Sequence, residues 1–398
     1  MVAVAPATLD ATRYSLSVRR LSLARSLLLL PLLSSGVACL PGAADGAQAG
    51  VTSAPPAQAT APLAPAPPAP PPPAPATALP PTPQPTAVPP TPTPLNLPLP
   101  VGIPEAPEDP ADGRTIAGLR ARAYEAGPLE VLRTLSSTPQ YTSYAIAYVS
   151  DGLRVTGYLN VPRGEGPFPV LLINHGYVPP TGYTAVVSNY TKREGDYFAT
   201  RGYLTAGSDY RGHGNNPGTA AGGHLEPAYV VDALNLLATL KQHPQADPQR
   251  IGVWGHSMGG SIAERMMVVS KDVDATVIWA GVSADAGDAW RYGLRHRPER
   301  ELRERYGHPD DDPGLYRRMS SRAYLADIAG PVQIHHGTAD ESVPYAHGAE
   351  LALRLAGAGK AHELFTYSGA PHNWFGATWN TALGRSLAFF DAHVKAGV

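Results

Sequence analysis

One serine in the sequence lies in a context that favours nucleophilic chemistry. Ser257 is the centre of a G-x-S-x-G pattern at residues 255–259, with an apolar run before it at residues 250–254 and a helix-like run after it at residues 261–267. A tight turn between a strand and a helix strains the backbone of the serine and projects its hydroxyl above the sheet. We therefore predict that Ser257 is a nucleophile, and the alternative is a glycine-rich turn with an inert serine.

A serine nucleophile needs a histidine base, and the base needs an acid that orients it. Asp340 follows an apolar stretch at residues 332–336 and a glycine turn, and His372 follows the last predicted strand. The order serine, acid, histidine is the one that such sites have in an open α/β sheet. We predict Asp340 as the acid and His372 as the base. Glu341 is the rival to Asp340, and capping of a turn is the alternative role for the aspartate.

Acyl transfer also needs hydrogen-bond donors for the oxyanion. The backbone N–H of Met258, directly after the nucleophile, is the first candidate. The second is the backbone N–H of Tyr177, in the loop at residues 174–179 that follows the third predicted strand. The alternative is that this loop is only a turn after a strand.

The elements that must position these residues are predicted from hydrophobic periodicity. Eight strands are predicted, at residues 144–150, 153–161, 170–174, 204–209, 251–254, 275–280, 332–336 and 363–368. Asp151-Gly152 predicts a hairpin between the first two strands. Helical patterns separate the later strands, which indicates parallel crossovers. Residues 111–398 are therefore expected to form one α/β-hydrolase domain with a mostly parallel eight-stranded sheet flanked by helices.

A segment near residues 284–322 interrupts the alternation of strands and helices and predicts a small cap insertion. It is rich in arginines and aromatic residues, among them Trp290, Arg300 and Arg303. One interpretation is that these residues line a substrate pocket and favour an anionic substrate. We favour the other, a solvated helix in which glutamates pair with most of the arginines at helical spacing.

The N-terminal part of the chain has a different composition. Residues 1–39 have basic residues, a short leucine-rich run and small residues, which is typical of an export signal. Cys39, the only cysteine of the chain, lies where a bacterial lipobox has its lipidated cysteine, and the alternative is simple secretion. Residues 40–110 are rich in Pro, Ala and Thr and predict a disordered linker. We expect an exported protein, either a bacterial envelope lipoprotein whose only membrane contact is this anchor or a secreted protein.

Composition and motifs argue against several other classes of function. The formal net charge is −2, which gives no indication of a nucleic-acid partner. His213 has no paired ligand spacing, so no metal site is predicted. No phosphate-binding or dinucleotide-binding glycine pattern is present, and we expect no cofactor.

Taken together, the motifs resemble the α/β-hydrolase superfamily, and in particular the catalytic domain of the prolyl oligopeptidase family of serine peptidases and their esterase relatives. The matching pieces are Ser-Asp-Gly at residues 150–152, His175-Gly176, Asp-Tyr-Arg-Gly at 209–212, Asp-Pro-Gln-Arg-Ile-Gly at 247–252 and Gly259-Gly260. The resemblance covers about residues 140–398 and implies a Ser257–Asp340–His372 triad and no cofactor. It implies hydrolysis of a short peptide or a small-molecule ester. A carboxylesterase and a non-catalytic surface-anchored binding module are the alternatives.

Overall fold

The computed structural model describes residues 108–220, 223, 225–295 and 297–396. The predictions for the export signal, for Cys39 and for nearly all of the linker lie outside the described residues. Within them, no helix is long and apolar enough to cross a membrane.

The described residues form nine strands and nine α-helices. The strands are β1 (Glu130–Ser137), β2 (Tyr141–Ser150), β3 (Leu153–Pro162), β4 (Phe168–Asn174), β5 (Leu204–Ser208), β6 (Ala246–His256), β7 (Ala275–Trp279), β8 (Val332–Gly337) and β9 (His362–Tyr367). The helices are α1 (Ile116–Ala121), α2 (Lys192–Ala199), α3 (Ala228–Leu240), α4 (Met258–Val269), α5 (Ala286–Gly293), α6 (Glu299–Tyr306), α7 (Pro313–Met319), α8 (Tyr345–Gly357) and α9 (Gly376–Phe390). A 3₁₀ helix (Ser321–Asp327) and a π-helical turn (Asp391–Lys395) complete them.

The strands form one mostly parallel sheet in the order β1-β2-β3-β5-β4-β6-β7-β8-β9. The first three strands and β5 pair antiparallel, and all pairs from β5 through β4 to β9 are parallel. Asp151 and Gly152 both have positive φ, as a two-residue hairpin turn between β2 and β3 requires. The predicted fold class is confirmed. The sheet has one strand more than predicted, because β1 is an almost wholly exposed edge strand without apolar alternation.

Apolar side chains cover both faces of the sheet. One large buried cluster includes Val253, Ile262 and Met266, and a second, on other residues, includes Trp254, Trp279 and Phe390. Consecutive residues of β6, Val253 and Trp254, belong to different clusters, since successive side chains of a strand point to opposite faces. Burial on both faces makes β6 a rigid base for the residue that follows its end.

The predicted insertion consists of α5, α6 and α7 between β7 and β8. It packs around a small apolar cluster to which its own Trp290, Leu302 and Tyr316 belong, together with Leu225 from the segment between β5 and α3. Trp290 is buried in this cluster and its indole N–H donates to the carbonyl oxygen of Gly307 at 3.0 Å. This tryptophan therefore stabilises the insertion itself.

Candidate active site

Ser257 occupies a strained turn at the carboxyl end of a central strand. Strand β6 ends at His256 and α4 begins at Met258, so Ser257 is the single residue between them. Its φ of 58° and ψ of −121° lie outside the regions that non-glycine residues normally adopt. A Cβ on Gly255 would overlap the carbonyl oxygen of Gly259, and one on Gly259 would overlap that of Asn174. The glycines are thus required because the strand, the turn and the helix pack backbone against backbone.

Asp340 lies in the loop after β8 and is held in place by both of its carboxylate oxygens. Oδ1 accepts hydrogen bonds from the backbone N–H groups of Ser342 at 2.9 Å and Val343 at 2.7 Å. Oδ2 lies 2.8 Å from Nδ1 of His372 and 3.4 Å from Nε2 of His336. Burial alone would raise the pKa of Asp340, but hydrogen bonds from the two histidines and from Val343 outweigh it and hold the pKa well below its usual range. The carboxylate is therefore ionised at neutral pH.

His372 follows β9, and the two neighbouring acids contact different parts of it. The imidazole contacts Asp340, while the backbone N–H of His372 donates to Oε2 of Glu341 at 3.1 Å. The ionised Asp340 carboxylate can only accept a hydrogen bond, so it favours the tautomer of His372 in which Nδ1 carries the proton and Nε2 is the basic nitrogen. Asp340 rather than Glu341 is the acid that orients the ring.

The loop after β4 passes directly beside the nucleophile. A Cβ added to Gly176 would lie 2.9 Å from Cβ of Ser257. The N–H of Gly176 donates to the hydroxyl of Tyr190 at 2.9 Å, and the carbonyl oxygen of Gly176 lies 2.7 Å from Nδ1 of His175. That carbonyl and the N–H of Tyr177 belong to one planar trans peptide, so the bond to His175 also fixes the direction of the Tyr177 N–H.

The other candidate donor, the N–H of Met258, belongs to the first residue of α4. The first N–H groups of a helix have no partner within the helix, and the helix dipole favours negative charge at this end. The structure therefore brings all five residues predicted for the catalytic steps to one edge of the sheet. They are Ser257, Asp340, His372, Met258 and Tyr177.

Sequence reasoning missed three residues of this region. His336 contacts the Asp340 carboxylate, His256 contacts the carbonyl oxygen of His372, and Tyr190 contacts His256. No pattern in the sequence marks Tyr190 and His256, because their contacts join segments that are far apart along the chain. The contact of His336 is local, since this residue lies four positions before Asp340.

Three arginines in α6 or just before it pair with glutamates of that helix. Arg303 donates to Glu299 at 2.7 Å, Arg297 bonds Glu301, and Arg300 lies 3.5 Å from Glu304. All of these side chains are largely exposed, as a solvated helix requires. Among the residues that the structure describes, no group of three or more His, Cys, Asp or Glu is arranged to hold a metal ion.

A strained serine between a strand and a helix, on a mostly parallel sheet in this order, defines the class of α/β-hydrolases. The family model of the prolyl oligopeptidase family matches residues 189–397, which is more than half of the chain. The chain belongs to this family and is a serine hydrolase.

Similar proteins include peptidases and esterases. The chain is 28% identical over 266 residues to YtmA of Bacillus subtilis (strain 168), named an uncharacterized peptidase, with 65% of this chain and 96% of that protein covered. YuxL of the same organism, also named an uncharacterized peptidase, is 26% identical, with 60% and 36% covered. Many of the curated relatives are thus much longer than the part of them that this chain matches.

Solved structures show the same fold. A puromycin-hydrolyzing peptidase of Mycobacterium tuberculosis superposes with a TM-score of 0.52 at 23% identity, over 65% of this chain and 40% of that one. Acetyl xylan esterase 1 of Thermoanaerobacterium sp. JW/SL YS485 superposes with a TM-score of 0.53 at 16% identity, over 69% and 91%. At these identities the likeness concerns the fold alone.

Proposed function

We propose that the protein cleaves acyl bonds of short peptides or small esters with a Ser257–His372–Asp340 triad. The observation that carries the proposal is the 2.8 Å bond between Asp340 and His372 at the edge of the sheet where Ser257 sits in its strained turn. A buried, ionised carboxylate on Nδ1 of a histidine is the arrangement that makes Nε2 a base.

The proposed reaction has two steps. His372 accepts the proton of the Ser257 hydroxyl as the oxygen attacks the substrate carbonyl carbon, and the N–H groups of Met258 and Tyr177 bind the developing oxyanion. His372 then protonates the leaving amine or alcohol, and the acyl group stays on Ser257. In the second step His372 takes a proton from water as the water oxygen attacks the carbonyl carbon of the acyl-enzyme. The bond between that carbon and the Ser257 oxygen then breaks, His372 returns the proton to this oxygen, and the carboxylic acid product leaves. No cofactor is needed.

Exposed apolar side chains on two loops of the site favour a substrate with an apolar or aromatic group. Tyr177 lies in the loop beside Ser257 and is 64% exposed, and Phe375 lies three residues after His372 and is 72% exposed. Large apolar side chains left in water next to a reactive group are candidates for substrate contacts.

A carboxylesterase is the second candidate. It is favoured by the extent of the match to acetyl xylan esterase 1, of which the chain covers 91%, whereas it covers 40% of the puromycin-hydrolyzing peptidase. The nearly full match to YtmA favours a peptidase on the same ground.

Labelling with a fluorophosphonate probe tests the triad. The wild-type chain should be labelled and Ser257→Ala should not be, while both should have the same circular dichroism spectrum. An unlabelled wild-type protein would contradict the proposal and point to the binding module. A panel of aryl esters and peptide anilides then separates the two substrate classes, since turnover of esters alone selects the carboxylesterase.

We also propose export, with lipidation of Cys39 as the anchor. Support comes only from the sequence, where small residues precede Cys39 after a leucine-rich run. Expression in a bacterial host with radiolabelled palmitate should label the wild-type chain and not Cys39→Ala. Equal labelling of both would contradict lipidation at this residue.

A further inference from the structure

A chain of three hydrogen bonds joins the loop beside Ser257 to the backbone of the proposed catalytic histidine. The N–H of Gly176 donates to Oη of Tyr190 at 2.9 Å, and Oη of Tyr190 lies 2.7 Å from Nδ1 of His256. Nε2 of His256 lies 3.2 Å from the carbonyl oxygen of His372. These three hydrogen bonds therefore link the loop of the proposed oxyanion donor, the residue before the nucleophile and the loop that carries the proposed base.

The acceptor at the end of this series of hydrogen bonds and the burial of the His256 ring together determine where each proton lies. The far end is the His372 carbonyl, which can only accept, so Nε2 of His256 must carry a proton. Burial lowers the pKa of His256 to about 3, so the ring is neutral and Nδ1 has a lone pair. The hydroxyl of Tyr190 then donates to Nδ1 while its oxygen accepts from Gly176. Burial raises the pKa of Tyr190 well above its usual value, which keeps this proton in place.

We infer that Tyr190 and His256 are positioning residues. They hold the loop of the oxyanion donor and the His372 loop in a fixed position relative to each other and to Ser257. This inference rests on the proposed function for its catalytic consequence. The geometry requires a proton on Nε2 of His256, and burial of the ring disfavours a second proton on Nδ1, whatever the substrate is.

The fixed tautomer also keeps positive charge off a ring beside the base. The rings of His256 and His372 are 4.7 Å apart between centroids. The other groups that act on His256 are the carboxylate of Asp340, the guanidinium of Arg193 and the hydroxyl of Tyr190. A second imidazolium at this distance would oppose the charge that His372 gains in the transition state. A neutral His256 avoids this opposition.

Nitrogen NMR of the full chain labelled with ¹⁵N-histidine tests the chain of bonds without any assay of activity. The signals of His256 are identified by their loss in His256→Gln. Between pH 5.5 and 8 they should show a protonated Nε2 and an unprotonated Nδ1, with no titration. A protonated Nδ1, or titration of the ring in this range, would overturn the inference even if the enzyme is fully active.

Kinetics test the consequence for catalysis. Tyr190→Phe removes the central hydroxyl and should lower kcat about 10- to 100-fold with less than about a threefold change in KM, because misplaced groups act in the transition state. His256→Leu should lower kcat by a similar factor. His256→Gln has an amide that can both accept from Tyr190 and donate to His372, so it should retain kcat within about fivefold. Tyr197→Phe, on helix α2, is the matched control and should behave as wild type.

Two outcomes would contradict the catalytic part. If kcat of Tyr190→Phe stays within twofold of wild type, or His256→Gln loses as much as His256→Leu, the positioning role is wrong. If Tyr190→Phe does not fold, the two His256 variants and the NMR signals still decide. Failure of the proposed function is distinguishable, since it would abolish fluorophosphonate labelling of the wild-type protein and leave the tautomer of His256 unchanged.

Discussion

Asp340 and Glu341, although adjacent, hold different parts of one histidine. Asp340 contacts the imidazole of His372 at 2.8 Å, and Glu341 accepts the backbone N–H of the same residue at 3.1 Å. The first contact sets the tautomer and stabilises positive charge on the ring, whereas the second fixes only the position of the backbone. Two carboxylates that sequence alone treats as rivals therefore have separate consequences.

Replacing each acid by its amide should separate these consequences. Asp340→Asn can no longer favour a proton on Nδ1 of His372 and should lower kcat about 10⁴-fold with little change in KM. Glu341→Gln keeps an amide oxygen that can accept the backbone N–H, so kcat should fall by less than about tenfold. Steady-state kinetics on the best ester or anilide substrate measure both. A larger loss in Glu341→Gln than in Asp340→Asn would show that the assignment of the acid is wrong.

The sequence predicted those parts of the candidate site that depend on local pattern. Ser257, Asp340 and His372 each follow a strand, and the carboxyl ends of parallel strands meet at one edge, so chain order and strand prediction were enough. The contacts of Tyr190 and His256 depend on how loops that are distant in sequence pack. The exposed edge strand β1 lacks the alternation by which strands are detected.

Two glycine substitutions should have opposite effects on stability, because only one of the glycines lies in close backbone packing. Gly255→Ala places a methyl group against the carbonyl oxygen of Gly259 and should lower the free energy of unfolding by more than about 3 kcal/mol or prevent folding. Gly384→Ala, on the exposed side of α9 with no atom within 4 Å of the added Cβ, should raise it by about 0.5–1 kcal/mol. Urea unfolding followed by circular dichroism measures both, and a stable Gly255→Ala protein would contradict the packing.

The charges of helix α6 should have no part in substrate selection. Arg300 and Arg303 are exposed and pair with glutamates of the same helix. Replacing both by glutamine should change the ratio of kcat/KM values for an anionic and a neutral aryl ester by less than about twofold, because exposed and paired charges are well screened. A ratio that falls tenfold would instead support the interpretation of the insertion as an anion-binding cap.

The buried histidine of the loop beside Ser257 should make stability depend on pH. His175 has no exposed surface, and burial lowers its pKa to about 3 from a usual value of 6.5. As pH falls below 6.5 the unfolded chain gains a proton at this residue and the folded protein does not, so the free energy of unfolding falls with pH down to about 3. For this one residue the loss between pH 7 and pH 5 is about 2 kcal/mol.

A variant that cannot titrate isolates this effect. His175→Asn keeps an N–H donor for the carbonyl oxygen of Gly176 and has no ionisable group. Urea unfolding at pH 7 and pH 5 should show that the variant loses about 2 kcal/mol less than the wild type between these two pH values. His393→Asn, near the C-terminal end of the described chain, serves as the matched control and should follow the wild type. Equal losses in wild type and His175→Asn would mean that His175 is also protonated in the folded protein at pH 5, which would contradict its burial as a neutral ring.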